Sequence, residues 1–167
     1  MSNIRIQQHL RGEVDFLVFR RGVLVDRWRQ HNLIVNAGRD SMARLLGGNR
    51  TEHVTKIGFG TNGTPANPAD TALTNMFAKP FEAVRYSGYE GTFYGESIEI
   101  GTAEVRFEYF LNTTEANGLQ IRERGLLFDD NALFARVLRN PVGGVPDTIV
   151  KQNDMTLAGA WTIFFGV

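Results

Sequence analysis

The residues with the types to do chemistry are few, and their spacing argues against its being done. His9, His31 and His53 are the three histidines, and none stands at an HxH, HxxxH or HExxH spacing. A metal centre needs convergent ligands, so each reads as a surface or loop histidine. Asp129 and Asp130 are adjacent carboxylates, but chain neighbours do not face each other as an acid–base pair must, and nothing selects a distant partner. Asp15, Asp26, Asp129 and Asp130 do not make a DxDxDG calcium loop. Ser41, Ser87 and Ser97 lack a nucleophile-elbow context. Asn36, Gly38, Gly47 and Gly48 suggest a phosphate cradle, yet their spacing matches neither the P-loop nor the dinucleotide fingerprint. There is no cysteine, which removes disulfides, thiolate catalysis and cysteine zinc sites together. The expected sets of catalytic, cofactor-binding and metal-binding residues are therefore empty. The expectation is a structural protein, not an enzyme.

Three constellations carry weaker signals. Arg27-Trp28-Arg29 could stack on an anionic partner, but reads better as a strand with one aromatic inward and two solvated arginines. Glu123, between Arg122 and Arg124, is either a buried ion-paired group or part of a solvated face. Tyr86, Tyr89 and Tyr94 beside Glu90 and Glu96 are the one cluster that suits a sugar, and packed tyrosines with solvated glutamates are the reading preferred.

The elements that position these residues are mostly strands. The 167 residues fit one domain, read as an arm over residues 1–11 and a single β-sandwich over residues 12–167. The pattern is clearest in LQIRERGLLFDDNALFAR, residues 119–136, where two apolar runs flank an Asp/Asn turn as in a β-hairpin central to a core. Residues 102–111 place Val105, Phe107, Tyr109 and Leu111 on one face and Glu104, Arg106 and Glu108 on the other. Further strands are predicted at residues 14–18, 23–25, 33–35, 54–60, 83–89, 93–100 and 155–165, with Gly58 and Gly60 marking a close backbone approach or a bulge. One helix is predicted after Asn36 as N-cap, with Ala37, Met42, Ala43, Leu45 and Leu46 as its apolar stripe and Gly47-Gly48 as its stop. Residues 71–77 are predicted as one helical turn, and residues 61–70 as a surface loop. The fold class expected is mainly β, an antiparallel β-sandwich with one short α-helix near the N-terminal third. Eighteen basic and 18 acidic residues cancel, which disfavours a nucleic-acid partner. No apolar run reaches membrane-spanning length and the N-terminus lacks a signal-peptide h-region, so synthesis is expected to end in the cytoplasm and no membrane partner is expected.

The order of these pieces resembles the attachment-type domains of tail-collar fibre and related tail proteins of tailed bacteriophages. The motif positions are Asn36 at the helix start, Gly58 and Gly60 in IGFGT, Thr71 to Leu73, then Glu123, Gly125, Leu126 and Phe128 in the hairpin, and Lys151 before a closing apolar strand. Asn131-Ala132 stands where that family often has a glycine, and the long fibre that usually follows is not in this sequence. The resemblance implies a non-enzymatic virion component of tail, baseplate or collar that anchors tail fibres, made in the host cytoplasm and located in the virion. Its partners would be other virion structural proteins and further copies of itself, as a trimer or hexamer. Partner contacts are expected at Arg5 in the arm, at Trp28, at Pro65 and Pro68 in the 61–70 loop, and at Pro141 in the 140–148 loop. The alternatives are a head decoration protein and a carbohydrate-binding receptor-recognition module.

Overall fold

The computed structural model describes residues 10–139 and 147–166. The fold is mainly β with one short helix, as the sequence predicts. Its frame is one antiparallel sheet of nine strands. In chain order these are β1 (Arg11–Arg20), β2 (Val23–Ile34), β3 (Val54–Gly60), β4 (Phe77–Pro80), β5 (Ala83–Tyr86), β8 (Glu104–Leu111), β10 (Glu123–Phe128), β11 (Leu133–Leu138) and β13 (Met155–Phe164). Their spatial order is β4-β3-β10-β11-β2-β1-β13-β8-β5. Two small pairs complete the β structure: β6 (Glu90–Phe93) with β7 (Glu96–Glu99), and β9 (Gln120–Ile121) with β12 (Ile149–Val150).

The two layers expected of a sandwich are the two halves of this one sheet, curled until they face each other. Phe59 of β3 meets Tyr109 of β8 edge to face, with ring centroids 5.8 Å apart, although five strands separate them in the sheet. The edges also meet. Only Phe81 and Glu82 separate β4 from β5, and their amides donate to Thr55 O (3.3 Å) on one side and Glu108 O (2.9 Å) on the other. Trp161, Phe16, Tyr109, Phe59, Phe128, Leu111 and Leu126 fill the interior, each essentially fully buried. Full burial of each such side chain contributes about 1.5–3 kcal/mol, so the aromatic content of the sequence is the main source of cohesion.

Several local expectations are corrected. Residues 71–76 form no helical turn; Leu73 instead lies over the sheet, and Phe77 begins β4. The helix α1 (Asn36–Leu46) is capped by Val35, and Asn36 makes no side-chain cap bond because it is already the first helical residue. The helix buries Gly38 and Ser41 with Met42 and Leu45 half-buried, while Ala43 is exposed and Leu46 is 93% exposed. The seated stripe thus follows i, i+3, i+4, i+7 from a glycine, since a Cβ at position 38 would overlap the Phe134 carbonyl. The single strand expected over residues 93–100 is part of the β6–β7 hairpin, which turns at Tyr94 (φ 47°) and Gly95 (φ 84°).

Candidate functional site

Four of the residues singled out in the sequence, Gly58, Gly60, Glu123 and Gly125, meet on one outer face of the sheet. Alternation along β10 sends Arg124, Leu126 and Phe128 into the core and Glu123, Gly125 and Leu127 outward. Gly125 pairs with Gly58 of β3 across the ladder. A Cβ on Gly58 would come within 2.8 Å of Leu73 Cδ1, and one on Gly125 within 2.6 Å of Leu133 Cδ1. The glycine pair is therefore a slot, and Leu73 fills it. Beside the slot, the fully buried Glu123 carboxylate accepts from Arg136 Nε (2.6 Å), Thr74 N (2.8 Å) and Asn62 N (3.1 Å). Arg136 continues to Asp70 (2.8 Å), Thr64 O (3.0 Å) and Pro65 O (3.3 Å). The Asn36 amide donates to Pro68 O at 2.8 Å. Glu123 is thus the buried ion pair, with Arg136 across the hairpin and not with its neighbours: Arg122 bonds Thr148, and Arg124 enters the core. This clamp holds both ends of the 61–74 segment and leaves Pro65 and Pro68 exposed between them.

The opposite outer face carries a second charged layer. Asp15, 4% exposed, pairs with Arg27 (2.7 Å) and Arg29 (3.2 Å) on the neighbouring strand, and Arg27 also binds Glu96 of the β6–β7 hairpin. The hydrogen bonds to Glu96 and then Asp15 raise the Arg27 pKa above its ordinary value, and Arg27 holds the Glu96 carboxyl below its own. Phe93 lies under Arg106 and Tyr94 packs on Phe19, so the hairpin is fastened across β1, β2 and β8. The two arginines of the Arg-Trp-Arg triplet are hence paired and not merely solvated. Trp28 points inward against Phe16, at 4.2 Å between centroids, with Arg124 and Arg139 on its ring. Tyr89 sits under Arg85, Tyr94 on Phe19, and Tyr86 beside a cavity described below, so the tyrosine cluster is divided among different neighbours.

Inside the curl, Arg124 is fully buried between Phe16 and Trp28, 3.7 and 4.0 Å from the ring centroids. Its three guanidinium nitrogens have no hydrogen-bond partner among the described residues. Desolvation pulls its pKa down to about 10, and desolvation pushes the nearby Tyr109 phenol up to about 12.

An opening lies at the end where β1 begins and β13 ends. It is an apolar cavity of about 610 Å³, walled by Met42 and Leu45 of α1, by Val54 and Thr55 of β3, by Val84 and Tyr86 of β5, and by Phe128, Ile163 and Phe165. Thr55 Oγ1 is buried without a hydrogen-bond partner among the described residues. A second surface stands at the opposite end. Val23, Leu24 and Val25 are 65%, 46% and 56% exposed at the start of β2. β2 pairs with β11 only through Leu33 and Ile34, so the outer edge beside these three residues has no ladder partner among the described residues. The sequence reading missed this edge, although the run VLV after the Arg-Gly turn was its visible signal. It also missed Arg136 and Asp70 as partners of Glu123, and it had Leu73 only as a motif position, because only the pairing register brings these residues to Glu123 and the glycine slot.

The remaining candidates are placed as follows. Arg5, Pro141 and His9 lie outside the described residues; His31 and His53 are exposed. Among the described residues, no group of three His, Asp or Glu side chains could hold a metal ion, and no helix is long and apolar enough to cross a membrane. Lys151 is buried and donates to Asn117 Oδ1 and Gln152 O, both at 3.1 Å, which ties the β9–β12 pair together. In comparisons with known proteins, no family model matches this chain, and no curated protein or solved structure is significantly similar to it.

Proposed function

We propose that the chain is a non-enzymatic assembly module of a tailed-phage virion, a tail, baseplate or collar component that anchors fibres and associates with copies of itself as a trimer or hexamer. The observation that carries an assembly role is the apolar edge at Val23, Leu24 and Val25, three consecutive exposed aliphatic residues beside backbone that has no ladder partner among the described residues. Such an edge invites pairing with another chain, and monomeric proteins usually blunt it with charge, proline or a cover. The residues able to do chemistry are consumed in support of this reading: Glu123, Arg136, Asp15 and Arg27 are all spent on fastening covers to the sheet. The virion setting rests on the resemblance, whose residues Asn36, Gly58, Gly60, Glu123 and Gly125 sit in or beside one clamp.

The test is immunogold labelling of phage particles with antibody to this chain, combined with the mass of the purified protein. Gold on the tail or collar and a trimeric or hexameric mass are expected. Label on the head would move the assignment to a decoration protein. Absence of label, with retention on a host polysaccharide column, would replace it with the receptor-binding alternative.

A further inference from the structure

We infer that Asn62 is a site of self-modification, where the Gly63 nitrogen closes on the Asn62 carboxamide and residue 62 becomes aspartate and isoaspartate. The inference stands on local geometry and does not depend on the virion reading. In the first step the Gly63 nitrogen bonds to Asn62 Cγ and the Cγ–Nδ2 bond breaks. The proton of the Gly63 amide leaves with Nδ2 as ammonia. Water then adds to the cyclic imide and opens it at either carbonyl. No oxidant or cofactor enters the balance.

The sequence holds two Asn-Gly steps, Asn62-Gly63 and Asn117-Gly118. Glycine matters because it has no Cβ to hinder the approach of its own nitrogen. The structure sets the two steps apart. At Asn117 the carboxamide is tied at both ends: Nδ2 donates to Thr113 O (2.8 Å) and Oδ1 accepts from Lys151 Nζ (3.1 Å). The Gly118 amide, which would be the nucleophile, donates to Lys151 O at 2.9 Å, so attack must first break that bond. At Asn62 the bonds fall on the oxygen. Oδ1 accepts from Thr64 N and Thr64 Oγ1, both at 2.9 Å. Negative charge develops on this oxygen as the ring closes, and donors already aimed at it stabilise that charge. Asn112 repeats the arrangement, with Thr114 N and Oγ1 each 2.8 Å from its Oδ1, but Thr113 follows it in place of glycine. Of these three asparagines, Asn62 is the one that combines a following glycine with paired donors on the oxygen.

Its position gives the conversion a consequence. The Asn62 amide donates to the buried Glu123 carboxylate at 3.1 Å, and Thr64 O accepts from Arg136 at 3.0 Å. Residue 62 therefore stands at the foot of the clamp. Aspartate places a second carboxylate on the residue that bonds Glu123, and like charges so close oppose each other. Isoaspartate also inserts an extra carbon into the main chain between those two bonds. Either product loosens the 61–74 segment that carries Pro65 and Pro68, and the loss of ammonia makes the change one-way.

The test ages the full chain in mildly alkaline buffer, folded and in urea. Peptide mass spectrometry follows residues 62, 112 and 117 through the exchange of NH2 for OH. In the folded chain, conversion at Asn62 is expected to run about tenfold faster than at Asn117, and in urea the two steps should converge on one rate. Thr64→Ala removes one donor and is expected to slow Asn62 several-fold in the folded chain and not in urea. Conversion at Asn117 as fast as at Asn62 in the folded chain would overturn the inference. So would an Asn62 rate lower in the folded chain than in urea, or one that Thr64→Ala leaves unchanged. In the converted fraction, amide exchange across residues 61–74 should quicken relative to fresh protein; unchanged exchange would contradict the loosening.

Discussion

Glu123 shows how a single residue can be essential without being catalytic. Its fully buried carboxylate has three donors, and it neutralises Arg136. Glu123→Ala leaves a buried guanidinium short of its counter-charge, so a loss of about 3–5 kcal/mol is expected by chemical unfolding. Glu123→Gln keeps an acceptor and should lose less, about 1–3 kcal/mol. Arg124 is the opposite case, a buried charge whose guanidinium has no hydrogen-bond partner among the described residues. Its desolvation opposes folding while stacking on Phe16 and Trp28 offsets part of the cost, so Arg124→Met is expected to be neutral or stabilising. Alkaline unfolding provides a sharper check. Between pH 10 and 12.5 the unfolded chain keeps the Arg124 proton that the folded chain has released, so this group raises stability as pH rises. Tyr109 acts the other way between pH 10 and 12, where the unfolded phenol ionises and the folded one does not. The two partly cancel in the native protein. Compared with it, Arg124→Met should lose stability more steeply from pH 10 to 12, and Tyr109→Phe should lose less.

At the scale of elements, the fold is a curled sheet with its covers clamped on. The glycine slot predicts that Gly58→Ala or Gly125→Ala displaces Leu73 and costs about 1–3 kcal/mol, with faster amide exchange in residues 61–76 than elsewhere. Gly38→Ala should instead lift α1 off β11, read as exchange across Asn36–Leu46, because the added Cβ meets backbone that cannot yield. The hairpin of β10 and β11 was legible in the sequence because its alternation and its Asp-Asp-Asn turn agree, with Asn131 at φ 66°. The twelve residues of β2 were legible at their ends and at Arg27-Trp28-Arg29, while Gln30 to Asn32 is a polar run whose strand conformation is set by pairing with β1. The β6–β7 hairpin was hidden because its turn is Tyr-Gly where Asn-Gly would have announced it. For the same reason of non-local control, Glu123 was recognisable as a choice between two states, while its partner depended on register.

For the whole molecule, the sequence disclosed a mainly β domain with one helix, and the order of strands lay beyond it. β13 sits between β1 and β8, far apart in sequence, and no local pattern encodes such a neighbourhood. Among the described residues, the curled sheet presents an apolar mouth at one end and exposed Val23, Leu24 and Val25 at the other. Self-association through that edge is the central claim. The direct measurement is the mass of the purified protein by light scattering, taken beside a Leu24→Asp variant whose thermal unfolding matches the native chain. Three or six times the 18.7 kDa chain mass, falling towards one chain in the variant, is the predicted result. A single-chain mass for the native protein across the concentration range, or an oligomer unchanged by Leu24→Asp, would contradict it.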